Sequence, residues 1–127
     1  MSASFKTPEL RQFAANYISS VEQLEILTLF QSNPEKSWTV KEIYRHIQSS
    51  EASVASCLEA FAKNGLIALQ PDGNYRLTPR TPELARCIAE LTKAYRERRV
   101  SVIEMIYDRP SDVIQDFADA FKLRKQK

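Results

Sequence analysis

The chain has one histidine, two cysteines and two glycines in 127 residues, and this inventory restricts its chemistry at once. His46 stands beside Arg45 on a polar stretch, and no serine, cysteine or carboxylate falls where a nucleophile relay with it could be assembled. Cys57 and Cys87 are far apart, form no CxxC pair and sit among apolar residues. They read as buried reduced thiols, so neither a disulfide nor a metal site is expected. Two glycines cannot furnish a phosphate-cradling loop. No catalytic residue, metal or cofactor is therefore expected. The groups left to act are hydroxyls, an amide and scattered cations, whose chemistry is hydrogen bonding and ion pairing with a surface.

Composition sets the frame for those groups. Apolar residues make up 43% and charged residues 27%, ordinary values for a globular chain. The length suits one compact domain, or a small domain with an added oligomerisation element. The net charge is only +2, and residues 1–80 carry eight bases against eight acids. The slight basic excess falls in residues 81–127. No apolar run approaches the ~18 residues of a membrane span, and the start does not read as a signal peptide. A cytoplasmic protein with no membrane partner is expected.

Local signals place the elements. Thr7-Pro8-Glu9 is a helix start, with a capping hydroxyl, proline at the first helical position and an acid in the first turn. Leu10, Phe13, Ala14, Tyr17 and Ile18 then trace one apolar face, so residues 1–19 form an arm helix. Ser19 and Glu22 are spaced as a capping box for a second helix, whose Val21, Leu24, Ile26, Leu27, Leu29 and Phe30 predict burial on two sides. Asn33-Pro34 ends it, and Trp38 follows in a short extended link. Thr39 and Glu42 form a further capping box, opening a helix with Val40, Ile43, Tyr44 and Ile47 on one face. Ser49-Ser50 is a turn, with Ser50 the cap of a helix whose inner face is Val54, Cys57, Leu58 and Phe61. Gly65 supplies a left-handed stop, with Leu66 packing back. Leu66 to Gln70 and Tyr75 to Thr78 read as strands joined by the turn Pro71-Asp72-Gly73-Asn74.

The succession of helix, turn, helix and hairpin, and above all Val54-x3-Leu58-x2-Phe61-x3-Gly65-Leu66-Ile67, resembles the winged helix-turn-helix domain of bacterial and archaeal transcription regulators. The resemblance covers residues 20–78, within a domain of residues 20–80, and implies a mainly α, α+β fold with a small β-hairpin wing. It also implies sequence-specific binding of double-stranded DNA, with the helix after Ser50 in the major groove. On that reading Ser53, Ser56 and Lys63 lie on or beside the groove-facing surface. Lys41 and Arg45 of the preceding helix, and Asn74, Tyr75 and Arg76 of the wing, would meet phosphates. The outer face also carries Glu51 and Glu59, and no Arg, Lys, Asn or Gln precedes Lys63. The alternative reading is a winged helix that recognises a protein partner instead of DNA.

Residues 81–127 complete the plan. Thr81-Pro82-Glu83-Leu84 repeats the helix start seen at Thr7. Leu84, Ile88, Leu91, Tyr95, Arg98, Val102 and Met105 step by fours and threes, a coiled-coil-like seam. With no breaker before Pro110, one helix of about 25 residues, roughly 38 Å long, is expected. Ile103 and Ile106 add to its apolar surface, more than a small domain is expected to cover. Leu84, Ile88, Leu91, Tyr95, Val102, Ile103, Met105 and Ile106 are therefore assigned to a homodimer interface. Ser111 would cap a short last helix carrying Phe117 and Phe121, ahead of a basic tail.

Overall fold

The computed structural model describes residues 7–107. The first six residues, the short helix expected after Ser111 and the basic tail lie outside them. Among the described residues there are six helices and one small antiparallel sheet, a mostly helical α+β arrangement. Helix α1 spans Pro8–Tyr17, α2 Val21–Ser32, α3 Val40–His46, α4 Glu51–Lys63, α5 Pro82–Glu97 and α6 Arg99–Tyr107. Strands β1 (Ser37–Trp38), β2 (Ile67–Leu69) and β3 (Tyr75–Leu77) form the sheet in the order β1-β3-β2. Among the described residues no helix is long and apolar enough to cross a membrane.

The helix starts follow from side-chain oxygens that satisfy first-turn amides. Thr7 accepts from the Leu10 N–H, Ser50 from Ser53 and Thr81 from Leu84. At α3 the capping box is complete: Thr39 Oγ1 accepts from the Glu42 N–H, and Glu42 Oε1 accepts from the Thr39 N–H, both at 3.0 Å. That double bond to backbone and hydroxyl holds the Glu42 carboxyl below its ordinary range, the backbone N–H being the largest cause. The start of α2 is displaced by one residue from the expected box. Ser20 is the cap, and Gln23 fills the reciprocal role by accepting from the Ser19 N–H. Glu22 is unavailable for it because its carboxylate turns towards α4.

The link expected around Trp38 is a strand. Trp38 pairs with Tyr75 and Ser37 with Arg76, adding β1 to the free edge of the hairpin. Two residues are too short to read as a strand alone, since the pairing exists only once β3 has folded back beside them. The hairpin itself closes as expected, with the Gln70 N–H donating to the Asn74 carbonyl at 2.7 Å and Gly73 at φ +88°.

The single long helix expected from Leu84 onward is two helices. Arg98 leaves the helical region (φ −138°, ψ 60°), and α6 starts in a new direction. The break coincides with an anchor to α2. Tyr95 donates its hydroxyl to Glu25 at 2.9 Å, and Arg99 bonds the same carboxylate at 3.0 Å while lying over the Tyr95 ring. A straight rod of about 38 Å would carry Val102, Met105 and Ile106 past the domain into water. The bend returns them to α1 and the core.

That bend corrects the argument for the dimer seam. Ile88, Leu91 and Val102 are completely buried within one chain, and Tyr95, Met105 and Ile106 nearly so. Leu84 and Ile103 are half-buried against the same core. The premise that a single chain leaves this surface wet is not met, because α1 and α2 cover it. The outward side of α6 shows instead Val100 and Tyr107. The centre of the core is Phe30, Phe61, Leu24, Leu27, Ile43, Leu58 and Leu66, all fully buried. It joins α2 to the α3–α4 pair and to β2.

Candidate nucleic-acid interface

Helix α4 is oriented by its apolar stripe. Val54, Cys57, Leu58 and Phe61 are buried, which turns Glu51, Ala52, Ser56, Glu59 and Lys63 outward. Ala55 is half-buried between them. The C-terminal stop is complete: the Leu66 N–H donates to the Phe61 carbonyl at 2.9 Å, the Gly65 N–H to Ala62 at 3.2 Å, and Gly65 has φ +82°. The outer face is thus shallow, built from small side chains, with a carboxylate near each end and one ammonium in its last turn.

Exposed cations lie on α3 and on the hairpin, the elements that adjoin α4. Lys41 and Arg45 are exposed on α3, in one row four residues apart. Tyr44, Arg45, Ile47, Gln48 and Ser49 line a shallow polar depression at the C-terminal end of α3, beside the start of α4. On the wing, Arg76 is exposed in the central strand, between Ala68 on β2 and Ser37 on β1. Among the described residues the ion pairs are Lys36–Glu42, Arg86–Glu9 and Arg99–Glu25. None includes Lys41, Arg45, Lys63 or Arg76, and none includes Glu51 or Glu59.

Two of the residues expected at this surface point elsewhere. Ser53 is half-buried and donates its hydroxyl inward to Glu22 at 2.7 Å. It faces α2 because it precedes Val54 and Cys57 on the inner flank of the helix. Tyr75 alternates with Arg76 along β3, so the two side chains leave opposite faces of the sheet. Tyr75 packs on the core beside Leu77, and only Arg76 projects outward. Asn74 is half-buried in the turn, its N–H donating to Asp72 Oδ1 at 3.0 Å. Lys41, Arg45, Ser56, Lys63 and Arg76 remain exposed as expected.

One organising residue went unnoticed in the sequence. The Arg80 N–H donates to the Gly65 carbonyl at 2.8 Å, and its guanidinium lies directly over Gly65 at the C-terminal end of α4. A cation there complements the helix dipole and ties the base of the wing to α4. Fifteen residues and a hairpin separate the partners, so no local pattern announces them.

His46 is exposed and packs edge-on against Trp38, ring centroids 5.8 Å apart. Cys57 and Cys87 are both buried thiols. Burial chiefly, and the Glu22 carboxylate next, push the Cys57 thiol up to about 11. Among the described residues no cluster of three His, Cys, Asp or Glu side chains could hold a metal. No family model, curated protein or solved structure matches this chain.

Proposed function

We propose that residues 20–80 form a winged helix-turn-helix that binds double-stranded DNA, and that the protein is a cytoplasmic transcription regulator. Two features support the fold part of this reading. The order of elements is helix, strand, helix, helix and hairpin, and the lone strand completes the hairpin's sheet in the order β1-β3-β2. Helix α4 also packs on α3 and β2 while keeping its outer side exposed, as a recognition helix must.

The observation that carries the function is the state of the cations around α4. Lys41, Arg45, Lys63 and Arg76 are exposed and unpaired among the described residues, and they come from α3, from α4 itself and from β3. A set of exposed, unpaired cations around a shallow face suits a phosphate backbone. Ser56, Ala52 and Ala55 would then approach base edges, the hydroxyl by hydrogen bonding and the methyls against thymine. Pairing of two copies is not built into the proposal, because the residues that suggested it belong to the core of one chain.

A second reading follows from Glu51 and Glu59. Two exposed, unpaired carboxylates bracket the small-residue face and would repel phosphate, whereas a protein partner with a basic surface would match them. Titration with short random duplexes at several salt concentrations separates the two. Four phosphate contacts give a slope of log affinity on log salt of roughly −3 to −4. Absence of salt-dependent binding even at low ionic strength sinks the DNA reading and favours the protein partner.

A further inference from the structure

Glu22 stands in the first turn of α2, half-buried, and takes no part in capping its own helix. Ser20 and Gln23 do that. Its Oε1 instead accepts the hydroxyl of Ser53 on α4, and its Oε2 is fully buried without a hydrogen-bond partner. One turn further along α4, the buried Cys57 thiol lies in the field of the same carboxylate. Two inward positions of α4, four residues apart, therefore face one charged group of α2.

The rest of the α4 contact is apolar and non-directional. Val54, Leu58 and Phe61 are fully buried and hold the helix against the core by contacts that carry no directional preference of their own. A charge-assisted hydrogen bond at 2.7 Å is directional. A buried carboxylate oxygen without a partner is a poor way to gain stability. The arrangement makes better sense as a device that selects one orientation.

We propose that Glu22 is a positioning residue for α4: through Ser53 it fixes the rotation of the helix's N-terminal half and so decides how Ala52, Ala55 and Ser56 are presented. The geometry stands independently of ligand, while the consequence for recognition rests on the DNA reading above. The N-terminal half is where such a helix meets base edges, so a rotation there changes sequence preference more than backbone affinity.

The test uses the full chain with Glu22→Ala, Glu22→Gln, Ser53→Ala and the Glu22→Ala/Ser53→Ala double variant. Three quantities are read: amide exchange across residues 51–57, the rate at which iodoacetamide modifies Cys57 at pH 8 (located by peptide mass), and the affinity ratio between preferred and scrambled duplexes. Loss of the charge-assisted bond in Glu22→Ala should speed exchange at 51–57 about tenfold, leaving α5 protected, and should make Cys57 modification faster than in Glu22→Gln, which lacks the same charge. Glu22→Gln keeps an acceptor for Ser53 and should restore exchange to within about twofold. Adding Ser53→Ala to Glu22→Ala should change little, because the two remove the same bond. The affinity ratio should collapse in Glu22→Ala and return in Glu22→Gln, with the salt slope unchanged in both.

Uniform loss of protection over the whole core, or fully additive effects of the two alanine changes, overturns the positioning role and leaves an ordinary buried side chain. Unchanged exchange at 51–57 in Glu22→Ala overturns it as well. If no variant and no wild-type sample binds duplex, the DNA reading fails, and amide exchange, with thiol modification compared between Glu22→Ala and Glu22→Gln, still decides the role of Glu22.

Discussion

Gly65 and Arg80 meet so closely that a methyl group on Gly65 would stand 2.7 Å from Arg80 Nε and 2.8 Å from Cζ. Gly65 is therefore constrained twice, by a φ of +82° that L side chains rarely adopt and by the guanidinium above it. Gly65→Ala should destabilise the domain by about 1–2 kcal/mol from the backbone alone. Displacement of the Arg80 guanidinium, the far end of an exposed side chain, adds little to that. Arg80→Ala in the Gly65→Ala background should recover that small part only. Urea midpoints of the two single variants and the double variant give the coupling directly.

Leu91 provides the sharpest check on where the α5 seam belongs. It is fully buried inside one chain, so Leu91→Ala should cost about 2–5 kcal/mol as a core truncation. The loss should be the same at micromolar and at tenfold higher protein concentration. A melting temperature that rises with concentration, together with a mass that halves in the variant, would restore the dimer seam.

The N-terminal box of α3 is open to a simple pH experiment. Thr39→Ala should cost about 1 kcal/mol by leaving the Glu42 N–H without its side-chain acceptor. Glu42 has a lowered carboxyl pKa, so its contribution is present above the ordinary value of 4.5 and is lost as pH falls through the folded value below it. The stability gap between wild type and Glu42→Gln should therefore close in acid. A gap that stays constant from pH 7 to pH 3 would count against the box as the source.

At the alkaline end two buried groups act in the same direction. The Cys57 thiol titrates at about 11 in the fold against 9.0 ordinarily, and the Tyr95 phenol at about 12 against 10.0. Burial is the leading cause for both. A raised pKa means stability fully present below the unfolded value and lost as pH rises through the folded one. Urea midpoints should fall between pH 9 and pH 12, the thiol contributing first. Cys57→Ala should remove the decline between pH 9 and 10 and leave the part owed to Tyr95 above pH 10. A profile unchanged by that substitution would show that the thiol is not responsible.

Much of this architecture is legible because its signals are local. The hydroxyls of Thr7, Thr39, Ser50 and Thr81 declare helix starts within three residues of the amides they satisfy. Gly65 and the turn at Gly73 likewise announce their conformations. The illegible parts depend on partners far along the chain. Strand β1 exists only through β3, the break at Arg98 coincides with the Tyr95 and Arg99 anchor on Glu25, and the inward turn of Ser53 depends on Glu22. The seam from Ile88 to Ile106 has a period that suits a second chain as well as it suits α1 and α2. Periodicity tells which face is covered and is silent on what covers it.

The division of labour around α4 gives the final prediction. Lys41 and Arg45 are exposed cations on α3 with no side-chain hydrogen bond among the described residues, so replacing both with alanine should leave the melting temperature within the small range of surface changes. On the DNA reading each neutralises a phosphate. The double variant should weaken binding to every duplex alike and reduce the magnitude of the salt slope by about 2. Ser56 is exposed in the middle of the small-residue face and has a different role. Ser56→Ala should leave the slope unchanged and alter the ranking of duplexes, by about 1–3 kcal/mol at a position its hydroxyl reads. An identical loss on all duplexes from Ser56→Ala would place that residue outside the groove. A double alanine change that alters ranking instead of slope would invert the assignment, giving α3 the specificity and α4 the support.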